Sequence, residues 1–205
     1  MARFGTSLLL LNLLIIIHTS ESATARPSNS NPTTDFIKSS CRATRYPVLC
    51  VQCLSGYATV IRHSQRQLAI TALSVSISRT QSCASFVHNL GQATRIKKSR
   101  EHRAVQDCIE NMADSLDRLR RSVHELGRTG QAGGQEFVTH MSNVQTWVSA
   151  ALTDQDTCLD GFAGPRFDEN LKANIKLRVV NVAQVTSNAL ALVNRFASSS
   201  SHRKS

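Results

Sequence analysis

Residues 104–126 read AVQDCIENMADSLDRLRRSVHEL. Val105, Ile109, Met112, Leu116, Leu119, Val123 and Leu126 recur there at spacings of 4-3-4-3-4-3. Apolar side chains three and four positions apart fall on one side of an α-helix. A stripe that holds this rhythm for so long faces the interior of a helical bundle. Gly127 is expected to stop the helix. The run from Gly127 to Gly134, GRTGQAGG, contains four glycines and reads as a turn. A phosphate cradle would need a strand before it and a Lys-Ser/Thr pair after it, and neither is there.

The same rhythm extends outward in both directions. Phe137, Met141, Val144, Val148 and Ala151 continue it beyond the turn, and Leu171, Ile175, Val179, Val182, Val185, Ala189, Leu192 and Phe196 form a further stripe. Upstream, positions 69, 73, 76, 80, 83, 87 and 90 make a weaker stripe, interrupted by the polar Ser76 and Thr80. Ser64-x-x-Gln67 at its start fits a capping box. A short helix is expected from Pro47, because proline suits the first helical position, and another from Thr34-Asp35, which can cap a helix. The fold class expected is all-α. Four long helices of roughly 20–28 residues, about 30–42 Å each, form an up-down-up-down bundle, preceded by an N-terminal helical hairpin.

The 205 residues divide accordingly. Residues 1–25 read as a signal peptide: Arg3 is the basic start, Leu8 to Ile17 the apolar block, and Ala23-Thr24-Ala25 the cleavage site. The apolar block is too short to cross a bilayer, so a secreted chain with no membrane partner after cleavage is expected. Residues 26–34 are a polar, flexible lead-in. Residues 35–198 are the bundle domain, and 199–205 a disordered tail.

Six cysteines, Cys41, Cys50, Cys53, Cys83, Cys108 and Cys158, lie in the mature part. In an oxidising compartment they are disulfide candidates first, and six allow about 15 pairings. Cys41 and Cys50 flank the Arg45-Tyr46 turn, where a bridge would close the hairpin. Cys108 lies 23 residues before Gln131 at the centre of the Gly-rich turn, and Cys158 27 after it. On antiparallel helices those positions share a level. Cys53 and Cys83 are left as thiols or a third pair, with thiols preferred.

Composition excludes several functions. Lys and Arg number 24 against 14 Asp and Glu, a net charge of +10, but aromatics are only 5 %. So few rings disfavour a single-stranded nucleic-acid platform. No HExxH, zinc-spaced CxxC pair or G-x-S-x-G occurs, and none of the histidines is spaced with a nucleophile and a carboxylate. They read as surface residues. The run Lys97-Lys98-x-Arg100, with Arg103, reads as a solvated connector, or as a contact for a polyanion. Against this charge, Glu110, Asp114 and Asp117 recur at i, i+4 and i+7 beside the apolar stripe. They serve helix solubility or dock a basic partner surface.

Three separated blocks carry a resemblance: SSCRATRYPVLCVQCLS (39–55), AVQDCIENMADSLDRLRRSVHEL (104–126) and NVQTWVSAALTDQDTCLDGF (143–162). In order and spacing they closely resemble the plant invertase and pectin methylesterase inhibitor family, over about residues 35–200. The resemblance implies a secreted, non-enzymatic bundle with no cofactor, bridged Cys41–Cys50 and Cys108–Cys158. Tyr46-Pro47-x-Leu49-Cys50 and the segment Thr146 to Leu152 look like the pectin methylesterase branch. The invertase branch carries Pro-Lys-Phe before the third long helix, where this chain has Gln135-Glu136-Phe137. Pro165-Arg166-Phe167 is similar but follows Cys158.

By resemblance, the partner is a pectin methylesterase, bound one-to-one over its pectin cleft. The family's contact positions map to Glu110, Asp114 and Asp117; Thr157 and Asp160 are expected to join them because Cys108 and Cys158 bring the two helices together, and Asn143 is added to the set. Acidic pectin is a second expected partner, given the basic charge. The alternatives are an inhibitor of acid invertase and a non-inhibitory, pectin-binding wall protein.

Overall fold

The structure is a computed structural model and describes residues 32–93, 100–130, 133–164 and 167–201. Seven α-helices are described: α1 (Pro32–Cys41), α2 (Pro47–Leu54), α3 (Ala58–Ile61), α4 (Gln65–Ala93), α5 (Arg100–Arg128), α6 (Gly134–Asp160) and α7 (Glu169–Ser201). The expected signal peptide, most of the lead-in, the run Lys97-Lys98 and residues 202–205 lie outside the described residues.

Helix boundaries differ from expectation in three places. α1 opens at Pro32, two residues early, since proline has no N–H to leave unpaired in a first turn. α5 passes Gly127 to Arg128. Its end is closed by Arg66 of α4, which donates to the Gly127 carbonyl and, through Nε, to Thr129 Oγ1 at 3.3 Å. A cation at a helix C-terminus meets the negative end of the helix dipole. α7 does not fray after Phe196 but runs on through Ser201, overrunning the expected start of the tail. Its serines bond back to their own helix: Ser198 Oγ donates to the Asn194 carbonyl and Ser199 Oγ to the Phe196 carbonyl, both at 3.0 Å.

The capping box is half made. Ser64 Oγ accepts from Gln67 N at 3.2 Å, while the Ser64 N–H turns to the Ile61 carbonyl.

α5 packs on α4 and α6, and α7 on α6 and α4, so the four long helices form a closed ring in chain order. Every stripe position expected on α7 is buried. On α5, Val105, Met112, Leu119 and Leu126 are buried together with Cys108, Ser115 and Ser122, so the inward face is centred slightly to one side of the apolar stripe. The apolar core falls into two clusters. One, around Leu73, Leu119, Val148 and Leu192, includes the hairpin; the other, around Val87, Met112, Phe162 and Ile175, surrounds Cys108 and Cys158.

Between these clusters lies a polar layer with one residue from each long helix: Ser76, Ser115, Gln155 and Thr186, all fully buried. Thr186 spends its only proton on the Val182 carbonyl (2.9 Å), so Ser76, 2.7 Å away, donates to Thr186. Ser115 donates to the Ala151 carbonyl at 3.2 Å. Both hydroxyls therefore turn lone pairs toward Gln155, whose Nε2 donates to them at 2.8 and 3.1 Å. Gln155 Oε1 is buried without a hydrogen-bond partner among the described residues, and a one-turn slip of any helix would leave further buried polar atoms unpaired, at about 1–3 kcal/mol each. The layer thus sets the register of the ring. It also explains the weak stripe of α4: Ser76 and Thr80 are buried, and Thr80 Oγ1 bonds to the Ser76 carbonyl at 2.9 Å.

The hairpin of α1 and α2 is closed by the Cys41–Cys50 disulfide. It docks on α7 through Asn188, whose Oδ1 accepts from Tyr46 N (3.0 Å) and whose Nδ2 donates to Tyr46 O (2.9 Å). One side chain therefore satisfies both backbone groups of the turn that opens α2. Cys53 and Cys83 are free thiols. Burial pushes the Cys83 thiol up to about 11, so it stays protonated and inert.

Candidate functional site

The Cys108–Cys158 disulfide joins α5 to α6 with Cα atoms 4.3 Å apart, and so sets which residues of the two helices share a level. Glu110 and Asp114 follow it on α5, and Thr157 and Asp160 flank it on α6; all four are exposed, as is Asp117. α6 carries Glu136, Asp154, Asp156 and Asp160 and no Lys or Arg at all. In a chain of net charge +10, this face is a local concentration of carboxylates.

A groove of about 210 Å³ runs along it, lined by Asp114, Asp117, Arg118, Arg121 and Trp147. Its charges are held in place. Arg118 Nε donates to Asp154 Oδ2 of α6 at 2.8 Å, and Asp117 pairs with Arg121 one turn on at 2.7 Å. Burial raises the Asp154 carboxyl above the usual carboxylate value, Arg118 pulls it down, and Asp114 adds to the rise. The groove therefore offers Asp114 as its uncompensated anion, beside a half-buried indole. Among the described residues no group of three His, Cys, Asp or Glu could hold a metal. The arrangement suits recognition of a basic, shaped surface.

The periodicity of the sequence pointed to Asp114 and Asp117 but not to Trp147 or Arg118 as groove residues, and Glu110 does not line the groove. The available signal was the chain's single Trp: Trp and Arg are enriched among residues that dominate binding energies.

Asn143 stands apart from the others. Its Nδ2 donates to Glu125 Oε1 at 2.9 Å, within a cluster toward the turn end of α5 and α6. There His140 is only 6 % exposed, contrary to the expectation of a surface histidine. Its Nδ1 lies 2.8 Å from Glu125 Oε1 and its Nε2 3.4 Å from Glu136 Oε1. Two carboxylates, one on each side of the ring, favour the doubly protonated form. The hydrogen bond to Glu125 raises His140 above its ordinary 6.5, Glu136 adds to this, and Arg128 opposes it. Glu125 is held below its ordinary 4.5 by the bonds from His140 and Asn143.

The sign of the linkage follows. His140 contributes stability that is complete below pH 6.5 and is lost as pH rises through its raised folded value. Glu125 contributes stability present above pH 4.5 and lost as pH falls through its lowered one. Between those limits both contributions are present. The melting temperature should therefore fall from pH 6 to pH 8, and His140→Gln should flatten that fall. An unchanged slope in the variant would remove this pair from the pH response.

Comparison with known proteins shows what the chain is similar to. A family model described as "Plant invertase/pectin methylesterase inhibitor" matches residues 35–192. The chain is 52 % identical over 195 residues to pectinesterase inhibitor 9 of Arabidopsis thaliana, covering 94 % of each chain. It is 48 % identical to pectinesterase inhibitor 11 of the same plant, covering 95 % of this chain and 96 % of that one. It is 46 % identical to a 21 kDa protein of Daucus carota, covering 98 % and 100 %. A crystal structure of a mutant form of an Arabidopsis pectin methylesterase inhibitor superposes with a TM-score of 0.56 at 20 % identity, covering 75 % of this chain and 92 % of that one. This last likeness concerns the fold alone.

Proposed function

We propose that this chain, which belongs to the plant invertase/pectin methylesterase inhibitor family, is a secreted inhibitor of a pectin methylesterase. It acts in the cell wall once the leader is removed, and binds one-to-one over the enzyme's pectin cleft. The observation that carries the reading is the α5–α6 face. Glu110, Asp114, Asp117, Thr157 and Asp160 stand exposed on two helices bridged by Cys108–Cys158. Such a face blocks a groove sterically. No residue of it needs to transform anything, which accords with a family of inhibitors and not of enzymes. A contact of standard size would bury about 1,600 Å² in total, with Asp114 and Trp147 as anchors more important than area.

The test is to titrate the purified chain into a pectin methylesterase assay and an acid invertase assay, each at pH 5 and pH 7. Methanol release should fall to zero near equimolar inhibitor while sucrose hydrolysis is unaffected. Inhibition of invertase alone would transfer the face to the alternative target, and inhibition of neither would refute an inhibitory role.

A second reading, adhesion to acidic pectin, is favoured by a separate observation. α4 has two Arg and no carboxylate, and α7 has four cations against Glu169 alone. The positive charge is thus gathered away from α6.

A further inference from the structure

The basic side of the ring has a surface suited to a particular polymer. In the first half of α7, Lys172 and Lys176 stand one turn apart on the rim of an open trough of about 210 Å³. The rest of its lining is apolar: Leu159, Phe162, Ala163 and Ile175. Leu177, next in the chain, is 74 % exposed. Beyond it, the Arg178 guanidinium lies over the Phe86 ring at 4.0 Å, which pins its plane and leaves its edge free to donate. Lys176 and Arg178 are exposed, and neither is ion-paired among the described residues. Lys172 has only the distant carboxylate of Glu169, at 3.8 Å.

Lys172 and Lys176, about one helical turn apart and set beside apolar atoms, match a chain of sugar rings that carries a carboxylate on each ring and C–H faces between them, and Arg178 flanks the exposed Leu177 on the other side. A nucleic acid would want open aromatic faces, and Phe86 is covered by Arg178. A methyl-esterified uronan would lack the charges.

We propose that this half of α7 binds de-esterified pectin, a polyuronate. The trough shares α6 with the proposed enzyme-binding face, since Leu159 adjoins Asp160. The inference deepens the second reading above and rests on it. The acid polymer is the product of the esterase, so an inhibitor that holds it gathers where the enzyme has already worked.

The test uses the full mature chain with immobilised polygalacturonate and with fully methyl-esterified pectin. The wild type should bind only the former, and less tightly as salt rises from about 25 to about 200 mM, because exposed ion pairs are screened. Lys172→Gln/Lys176→Gln/Arg178→Gln should weaken binding by about tenfold or more, with esterase inhibition unchanged within about twofold. Lys172→Gln/Lys176→Gln, which spares the stack on Phe86, should lose about fivefold and guards against a folding defect. Arg62→Gln/Arg79→Gln/Arg195→Gln removes the same charge elsewhere and should bind nearly as the wild type. Equal loss in that control, full binding by the α7 variants, equal binding of esterified pectin, or preference for single-stranded DNA would each overturn the proposal. Inhibition is read separately, so a chain that binds polyuronate without inhibiting would sink the inhibitor reading and leave this surface standing.

Discussion

Replacing Asp114 and Asp117 together by Lys should weaken inhibition of a pectin methylesterase by about two orders of magnitude or more, with the helix content unchanged. Among the described residues Asp114 lines the groove without an ion pair, and Asp117 is paired with the exposed Arg121. Each reversal swings two units of charge on the proposed contact face and would set a cation against a basic partner surface, an arrangement that costs several kcal/mol across an interface. Folding should suffer little. Both side chains are exposed, and an exposed pair such as Asp117–Arg121 is worth about 0.2–1 kcal/mol. The new ammonium in the Asp114→Lys change would also lie near Asp154, whose carboxyl already feels Asp114, and would gain a partner there. Inhibitor titration beside a thermal melt separates the two effects. Full potency in the double variant would detach the acidic face from the mechanism. Trp147→Ala asks whether shape contributes as well: a loss of about 30-fold or more would mark the indole as an anchor.

The second large effect concerns the bridge beneath that face. Cys108→Ala/Cys158→Ala opens a loop of 50 residues, and the chain-entropy relation puts the loss at about 4 kcal/mol. For a domain of this size that lowers the melting temperature by about 8–16 °C. Cys41→Ala/Cys50→Ala opens a loop of only 9 residues, for which the same relation gives about 2.5 kcal/mol. The ordering of the two variants is the sharper expectation, because their cavity terms are similar: all four cysteines are buried. A larger loss from the hairpin pair would mean that its bridge does more than shorten a loop, for instance by holding the hairpin against α7 where Asn188 grips Tyr46. The α5–α6 variant should also lose inhibition out of proportion to its stability, since Glu110 and Thr157 would no longer be held at one level.

Much of this was legible because periodicity is a local property. Val105 to Leu126 declared a helix and its inward side without reference to any other element, and the buried residues of α5 follow that stripe with a small rotation. Glu110, Asp114 and Asp117 were legible as an exposed face for the same reason, lying off the apolar stripe. His140 was not. Phe137 and Val144, at i−3 and i+4, put it beside the apolar stripe, but its main partner, Glu125, lies across the turn on another helix. Trp147 stood out only as the chain's single Trp; its place in a groove was not legible, because a half-buried indole on a helix reads as core until the neighbouring helix is seen to present Asp114 and Arg118 beside it.

The order of helices, the sides they bury and the carboxylates they leave in water were thus determined by the residues in chain order, through apolar spacing and the closeness of i, i+3 and i+4 positions. The ring's register, the polar layer of Ser76, Ser115, Gln155 and Thr186, and the grip of Asn188 on Tyr46 were decided only by the tertiary structure. Those hydrogen bonds join residues from 31 to 142 positions apart. Such partners share no period. What selects them is the cost of leaving a buried donor or acceptor unpaired, a cost that exists only once the helices have closed around it.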